Sequence, residues 1–125
     1  MTNKIGIIVL AHGSRLDDAN QGVLRLVEAL QRSKGSSELS ISAAFMQFGT
    51  PSLEEVVHNV VENGCKEILI APLFLTSGAH ITEDIPEMIS KMREMYLDVQ
   101  LKQCSPLGCD EKLIPILWDR VSEFL

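Results

Sequence analysis

The chain has 125 residues, 46% hydrophobic and 22% charged, with a net charge of −6, enough to bury roughly two-thirds of its unfolded surface in one core. The acidic balance argues against general binding to nucleic acid or anionic membranes, and no apolar run approaches the ~18 residues that span a bilayer. Three cysteines, Cys65, Cys104 and Cys109, contain no CxxC pair and leave one over, which disfavours a disulfide framework and suits a reducing, cytoplasmic setting.

Lys4–Ala11 is almost wholly apolar and rich in Ile and Val, the composition of a strand covered on both faces rather than of a signal peptide. A polar turn, His12-Gly13-Ser14-Arg15, leads to a helix over Asp17–Arg32, with Val23, Leu24, Val27 and Leu30 on one face. Lys34–Glu38 is a stop, and Leu39–Met46 a second strand. Thr50-Pro51 reads as a helix cap followed by proline at the first helical position. Leu53, Val56, Val57, Val60 and Val61 continue that helix to Asn63-Gly64.

Glu67–Leu73 is a third strand and Leu97–Gln103 a short fourth, with a helix through Ile85, Ile89, Met92 and Tyr96 between them. Asp110–Leu125 is a last helix carried by Leu113, Ile114, Leu117 and Val121, starting at Asp110 or, given Pro115, at that proline. The alternation predicts one α/β domain over residues 1–125, a three-layer, flavodoxin-like sandwich. With right-handed crossovers, its four parallel strands take the order 2-1-3-4. Strands 1 and 3 then flank the switch point, where open α/β sheets bind ligands.

His12 follows strand 1 directly and His80 follows strand 3 by a short Ser77-Gly78-Ala79 loop. Each alone is ordinary: a histidine at a strand end, a histidine on a surface loop. Brought to one crevice, they form a candidate metal site, because neutral imidazole binds cobalt, nickel, iron or zinc. Two ligands leave coordination positions open, as suits a metal that is passed on. His58 lies beside Glu54 and Glu62, off the valine stripe, and reads as solvated.

Ser14 and Arg15 offer a hydroxyl, backbone N–H groups and a guanidinium to a carboxylate or phosphate. The turn has neither GxGxxG nor GxxxxGK, and no GxSxG elbow follows. Glu83 and Asp84 suit either a helix-capping arrangement of Asp84 with Glu87 or a carboxylate that backs a histidine or accepts a proton. Phe45, Met46, Phe48, Leu73, Phe74 and Leu75 gather at strand ends; most belong to the core, and the outermost are placed to wall a flat apolar ligand. A metal site at Cys104 and Cys109 is the lesser reading beside buried or incidental thiols.

The runs AHGSR, AFMQFGTPSLEE, APLFLTSGAHITEDIP and SPLGCDEKL resemble, in order and spacing, the short-form sirohydrochlorin chelatases, the CbiX-type cobaltochelatases. The resemblance spans nearly the whole chain. It implies a chelatase-like fold, a homodimer, and ATP-independent insertion of a divalent metal into sirohydrochlorin on the way to cobalamin or sirohaem. Such an enzyme is a lyase that takes metal as substrate, Co²⁺ first and then Fe²⁺ or Ni²⁺, and needs no organic cofactor.

His12 and His80 match the family's metal-binding histidines. Ser14, Arg15, Gln47, Phe74, Leu75, Ser77 and Gly78 are then the candidate substrate-binding residues, with Glu83 and Asp84 as acid/base candidates. One departure stands out: members often carry glutamate where this chain has Gln47, and an amide cannot act as a general base. The alternatives are a metal or tetrapyrrole carrier that forms no product, and a flavodoxin-like signalling or nucleotide-binding module. The second of these predicts acidic or glycine-rich chemistry where His12 and Arg15 stand.

Overall fold

A computed structural model describes residues 4–76 and 78–125, with the backbone alone described at 80 and 81. Four strands, β1 (Lys4–Ala11), β2 (Leu39–Phe45), β3 (Cys65–Pro72) and β4 (Gln100–Gln103), form one sheet in the order β2-β1-β3-β4. Every pairing is parallel, β1 lying between β2 and β3. The predicted topology is therefore the observed one.

The helices are α1 (Asp17–Lys34), α2 (Leu53–Glu62), α3 (Ile85–Met95) and α4 (Ile114–Ser122), with a five-residue π-turn, His80–Asp84, leading into α3 and a 3-10 turn, Glu111–Leu113, before α4. One core cluster joins Ile8, Leu10, Ile68 and Ile70 of the sheet to Leu53 and Val57 of α2 and Ile85 and Ile89 of α3. Across the sheet, Val27 of α1 packs with Val9, Ile41 and Ala43. The sheet therefore carries α2 and α3 on one face and α1 on the other. Close approach of α2 to β1 needs Gly6, since a Cβ there would run into Val60 Cγ1.

Several boundaries differ from the sequence reading. α2 begins at Leu53, and its cap is Ser52, whose Oγ accepts the Glu55 N–H at 3.2 Å. The segment before it finishes the sheet edge instead: the Phe45 N–H donates to the Pro51 carbonyl at 2.9 Å, and Phe45 bridges to Ser52. β4 is confined to four residues because Leu97 and Asp98 form a turn, closed by the Val99 N–H donating to the Tyr96 carbonyl at 3.2 Å. The carbonyl of Leu101 accepts two bonds from the Arg93 guanidinium and ties β4 to α3. Asp84 does not cap α3: its backbone is already helical, and its side chain makes no capping bond. α4 starts at Ile114 after the 3-10 turn, and none of its residues is buried.

Candidate metal and tetrapyrrole site

β1 and β3 run side by side, and the loops at their carboxyl ends start together: the Leu73 N–H donates to the Leu10 carbonyl at 2.8 Å. His12 lies one residue beyond β1. The π-turn beginning at His80 follows β3, so the backbones at 12 and 80 leave neighbouring strands at one edge of the sheet. The His80 side chain and Ser77, both predicted for the site, lie outside the described residues.

His12 is half-buried. Its Nδ1 lies 3.1 Å from the Gly13 carbonyl oxygen, which can only accept, so Nδ1 carries the proton. Nε2 is then the lone-pair nitrogen, and the Gln47 amide nitrogen donates to it at 3.0 Å. Along the backbone, the Met46 N–H donates to the Ala11 carbonyl at 2.9 Å and the Gln47 N–H to the His12 carbonyl at 3.0 Å. The two strand-end loops thus stay paired past the last ladder residues. That approach requires Gly13, at φ 95°, because a Cβ there would collide with the Gln47 carbonyl oxygen.

The loops are held by a residue that the sequence reading missed. Asn20 of α1 is 7% exposed. Its Oδ1 accepts the Ser14 N–H at 2.9 Å, and its amide donates to the carbonyls of Ser14 and Phe48, each at 2.8 Å. One amide therefore clamps the His12 loop to the Gln47 loop. The sequence holds a signal for it: Asn20, Val23, Leu24 and Val27 share the inward stripe of α1. A polar residue on such a stripe must find partners.

Ser14 Oγ accepts the Leu16 N–H at 3.0 Å and so shapes the turn into α1. Arg15 is exposed, with its guanidinium 4.6 Å over the Phe48 ring, and Phe48 has φ 57°. Of the apolar cluster, Phe45 is core, Phe74 packs against the core, and Phe48 and Leu75 are about half exposed, the outermost pair. Gly78 accepts from the Thr82 N–H and hydroxyl, both at 3.0 Å, through its carbonyl.

A cleft of about 300 Å³ opens between the end of β2 and α3, lined by Met46, Gln47, Asp84, Glu87, Met88 and Lys91. It brings Gln47 and Asp84 together; Glu83 is exposed and not part of its lining. His58 is an exposed residue 4.0 Å from Glu62, as expected of a solvated histidine. Cys65 is buried and Cys109 exposed, and no cluster of three or more His, Cys, Asp or Glu side chains suited to a metal exists among the described residues. No helix among them is long and apolar enough to cross a membrane.

Known proteins resemble this chain in sequence and fold. A sirohydrochlorin cobaltochelatase of Methanosarcina acetivorans is 33% identical over 132 residues, covering the whole of both chains. A sirohydrochlorin ferrochelatase of Priestia megaterium is 32% identical over 118 residues, 94% of this chain and 43% of its own. The crystal structure of the sirohydrochlorin chelatase SirB from Bacillus subtilis subspecies spizizenii in complex with cobalt matches with a TM-score of 0.89 at 26% identity, over 97% of this chain and 51% of that one. With residues 6–124 matching the family as a whole, the chain belongs to the CbiX family.

Proposed function

We propose that this protein is a chelatase that inserts a divalent metal, cobalt first and iron or nickel next, into sirohydrochlorin without ATP or an organic cofactor. The observation that carries the reading is His12: a half-buried imidazole at the switch point, its tautomer set by the Gly13 carbonyl so that Nε2 is the ligand atom. His80, entering from the neighbouring strand end, is the second ligand. The metal displaces the Gln47 amide from Nε2, since one lone pair cannot serve both.

Insertion replaces two pyrrole N–H protons by one dication. Two neutral ligands hold the metal weakly enough to release it, and an imidazole relieved of metal accepts a proton. Gln47 cannot take that part, so Glu83 or Asp84, a histidine, or a carboxylate of the substrate does. The substrate is polyanionic and the protein carries −6, so attraction must be local. Arg15, steadied on the Phe48 ring, supplies it. Ser14, Ser77 and Gly78 bind the polar rim of the substrate, and Phe74 and Leu75 wall its face. The cleft of about 300 Å³ is at the lower end of small-molecule pockets and holds only part of a tetrapyrrole. A second protomer roofs the rest, and we place the homodimer in the cytoplasm.

The test is metallation of sirohydrochlorin by purified protein and Co²⁺, followed by the absorption change, with His12→Ala and His80→Ala in parallel. Loss of a metal ligand is expected to lower the rate by roughly 100-fold or more, at the upper end of what even a ligand's supporting partner costs. Variants as fast as the parent would remove the two histidines from the mechanism. A spectrum that shows bound tetrapyrrole but no metallated product would make the protein a carrier.

A further inference from the structure

Phe48 stands on a backbone conformation suited to glycine. Its φ of 57° lies in the left-handed region, and it is the one non-glycine residue with positive φ among the described residues. A bulky side chain is a rare and costly choice there. The chain enforces the conformation from both ends. The Gln47 N–H donates to the His12 carbonyl at 3.0 Å, and the Phe48 carbonyl accepts from the Asn20 amide at 2.8 Å. Gly49 follows, where a Cβ would press on the Phe45 ring and the Asn20 amide. The loop has no room to relax on its inner side, and Phe48 is left 47% exposed.

The ring gains little inside the molecule, since neither core cluster of the described residues includes it. Its contact is with Arg15, an exposed residue whose guanidinium lies 4.6 Å over one face. A stacked pair at an exposed site adds little to stability. Residues held in sparsely populated conformations cluster at ligand clamps and active sites, where the strain serves function. The surroundings of Phe48 fit that pattern. It follows Gln47, whose amide meets His12 Nε2 at 3.0 Å. The cleft lined by Met46, Asp84, Glu87 and Met88 opens on the α3 side of Gln47. Phe48 is tied to the opposite side, by Asn20 in the first turn of α1 and Arg15 just before it.

We propose that Phe48 is a substrate-binding residue, its ring the platform on which one pyrrole of the macrocycle stacks, with Arg15 beside it for a carboxylate at the macrocycle's rim. This rests on the chelatase reading above. The cleft takes the part of the tetrapyrrole on the α3 side of His12, and the platform supports the part that overhangs toward α1. A ring aimed by its own backbone loses little freedom when the substrate arrives. Glycine at this position would give a more relaxed turn and no platform.

The test is a titration of the protein with metal-free sirohydrochlorin, followed by absorption, for the parent, Phe48→Gly, Phe48→Ala and Phe48→Tyr. Co²⁺ titration and urea unfolding of each run in parallel. Phe48→Gly and Phe48→Ala should weaken tetrapyrrole binding by roughly five- to thirtyfold, the worth of one aromatic stacking contact. Phe48→Tyr, which keeps the ring, should bind as the parent does. Phe48→Gly should leave Co²⁺ binding unchanged and unfold at a higher urea concentration than Phe48→Ala, because only glycine relieves a left-handed backbone. Parent-like tetrapyrrole binding by Phe48→Gly would overturn the platform. So would an equal loss of Co²⁺ and tetrapyrrole binding, which would make Phe48 a support of the His12 loop. If the parent binds the tetrapyrrole, the glycine and alanine variants lose it, and no cobalt product forms, the platform holds and the chelatase reading falls. A parent that binds no sirohydrochlorin overturns both.

Discussion

Under the proposed reaction, Gln47 occupies the place that the metal takes. Its amide donates to His12 Nε2 at 3.0 Å, so metal binding has to break that bond and gains no charge in return. Gln47→Glu should reverse both effects. A carboxylate at this distance attracts the dication and can accept a pyrrole proton. The expected result is Co²⁺ binding at least about tenfold tighter, worth roughly 1.4 kcal/mol, checked by metal titration, with metallation rate measured alongside. The departure at position 47 was legible in the sequence; its contact with His12 was not, because it depends on how two strand-end loops meet. Asn20 was hidden for a different reason, since polar residues early in a helix usually face water. Asn20→Ala leaves the Ser14 N–H and two carbonyls without their partner. A loss of roughly 2–3 kcal/mol is expected, read from denaturant midpoints, together with weaker metal binding as the His12 and Gln47 loops part.

At the scale of elements, the buried strands were the easiest to read, because Lys4–Ala11 is apolar at nearly every position and a parallel strand covered on both faces must be. The helix starts were less legible. Thr50-Pro51 satisfies every local rule for a cap, yet Ser52 wins because Phe45 uses the Pro51 carbonyl and Ser52 to finish the sheet edge. Ser52→Ala should therefore cost about 1 kcal/mol, and Thr50→Ala much less, in parallel thermal unfolding. Leu53, wholly buried one residue later, is the stronger test of how α2 anchors the core: Leu53→Ala should cost roughly 2–5 kcal/mol. The π-turn His80–Asp84 has no sequence signature of its own. Such turns recur at functional sites, and this one carries the second histidine of the proposed pair.

For the whole molecule, the strand order 2-1-3-4 was legible because right-handed crossovers and the alternation of elements leave few alternatives. That order alone brought positions 12 and 80 to one edge. The exposure of α4 was not legible, since an apolar stripe at helical spacing suits burial without securing it. Because imidazole binds metal only when neutral, metallation should fall in acid, in a pH–rate profile taken at fixed metal and tetrapyrrole.

The bond from His12 Nδ1 to the Gly13 carbonyl has a kinetic corollary under the proposed reaction. With one nitrogen committed, the other is the sole port of the ring for either a metal or a proton. Any cycle in which His12 leaves with the proton ends with the port shut, and a fresh ion waits until solvent removes it. Preloaded enzyme mixed rapidly with tetrapyrrole below neutrality should give a burst equal to the number of sites. A slower steady phase should follow and quicken as free metal is raised, while the burst rate stays level.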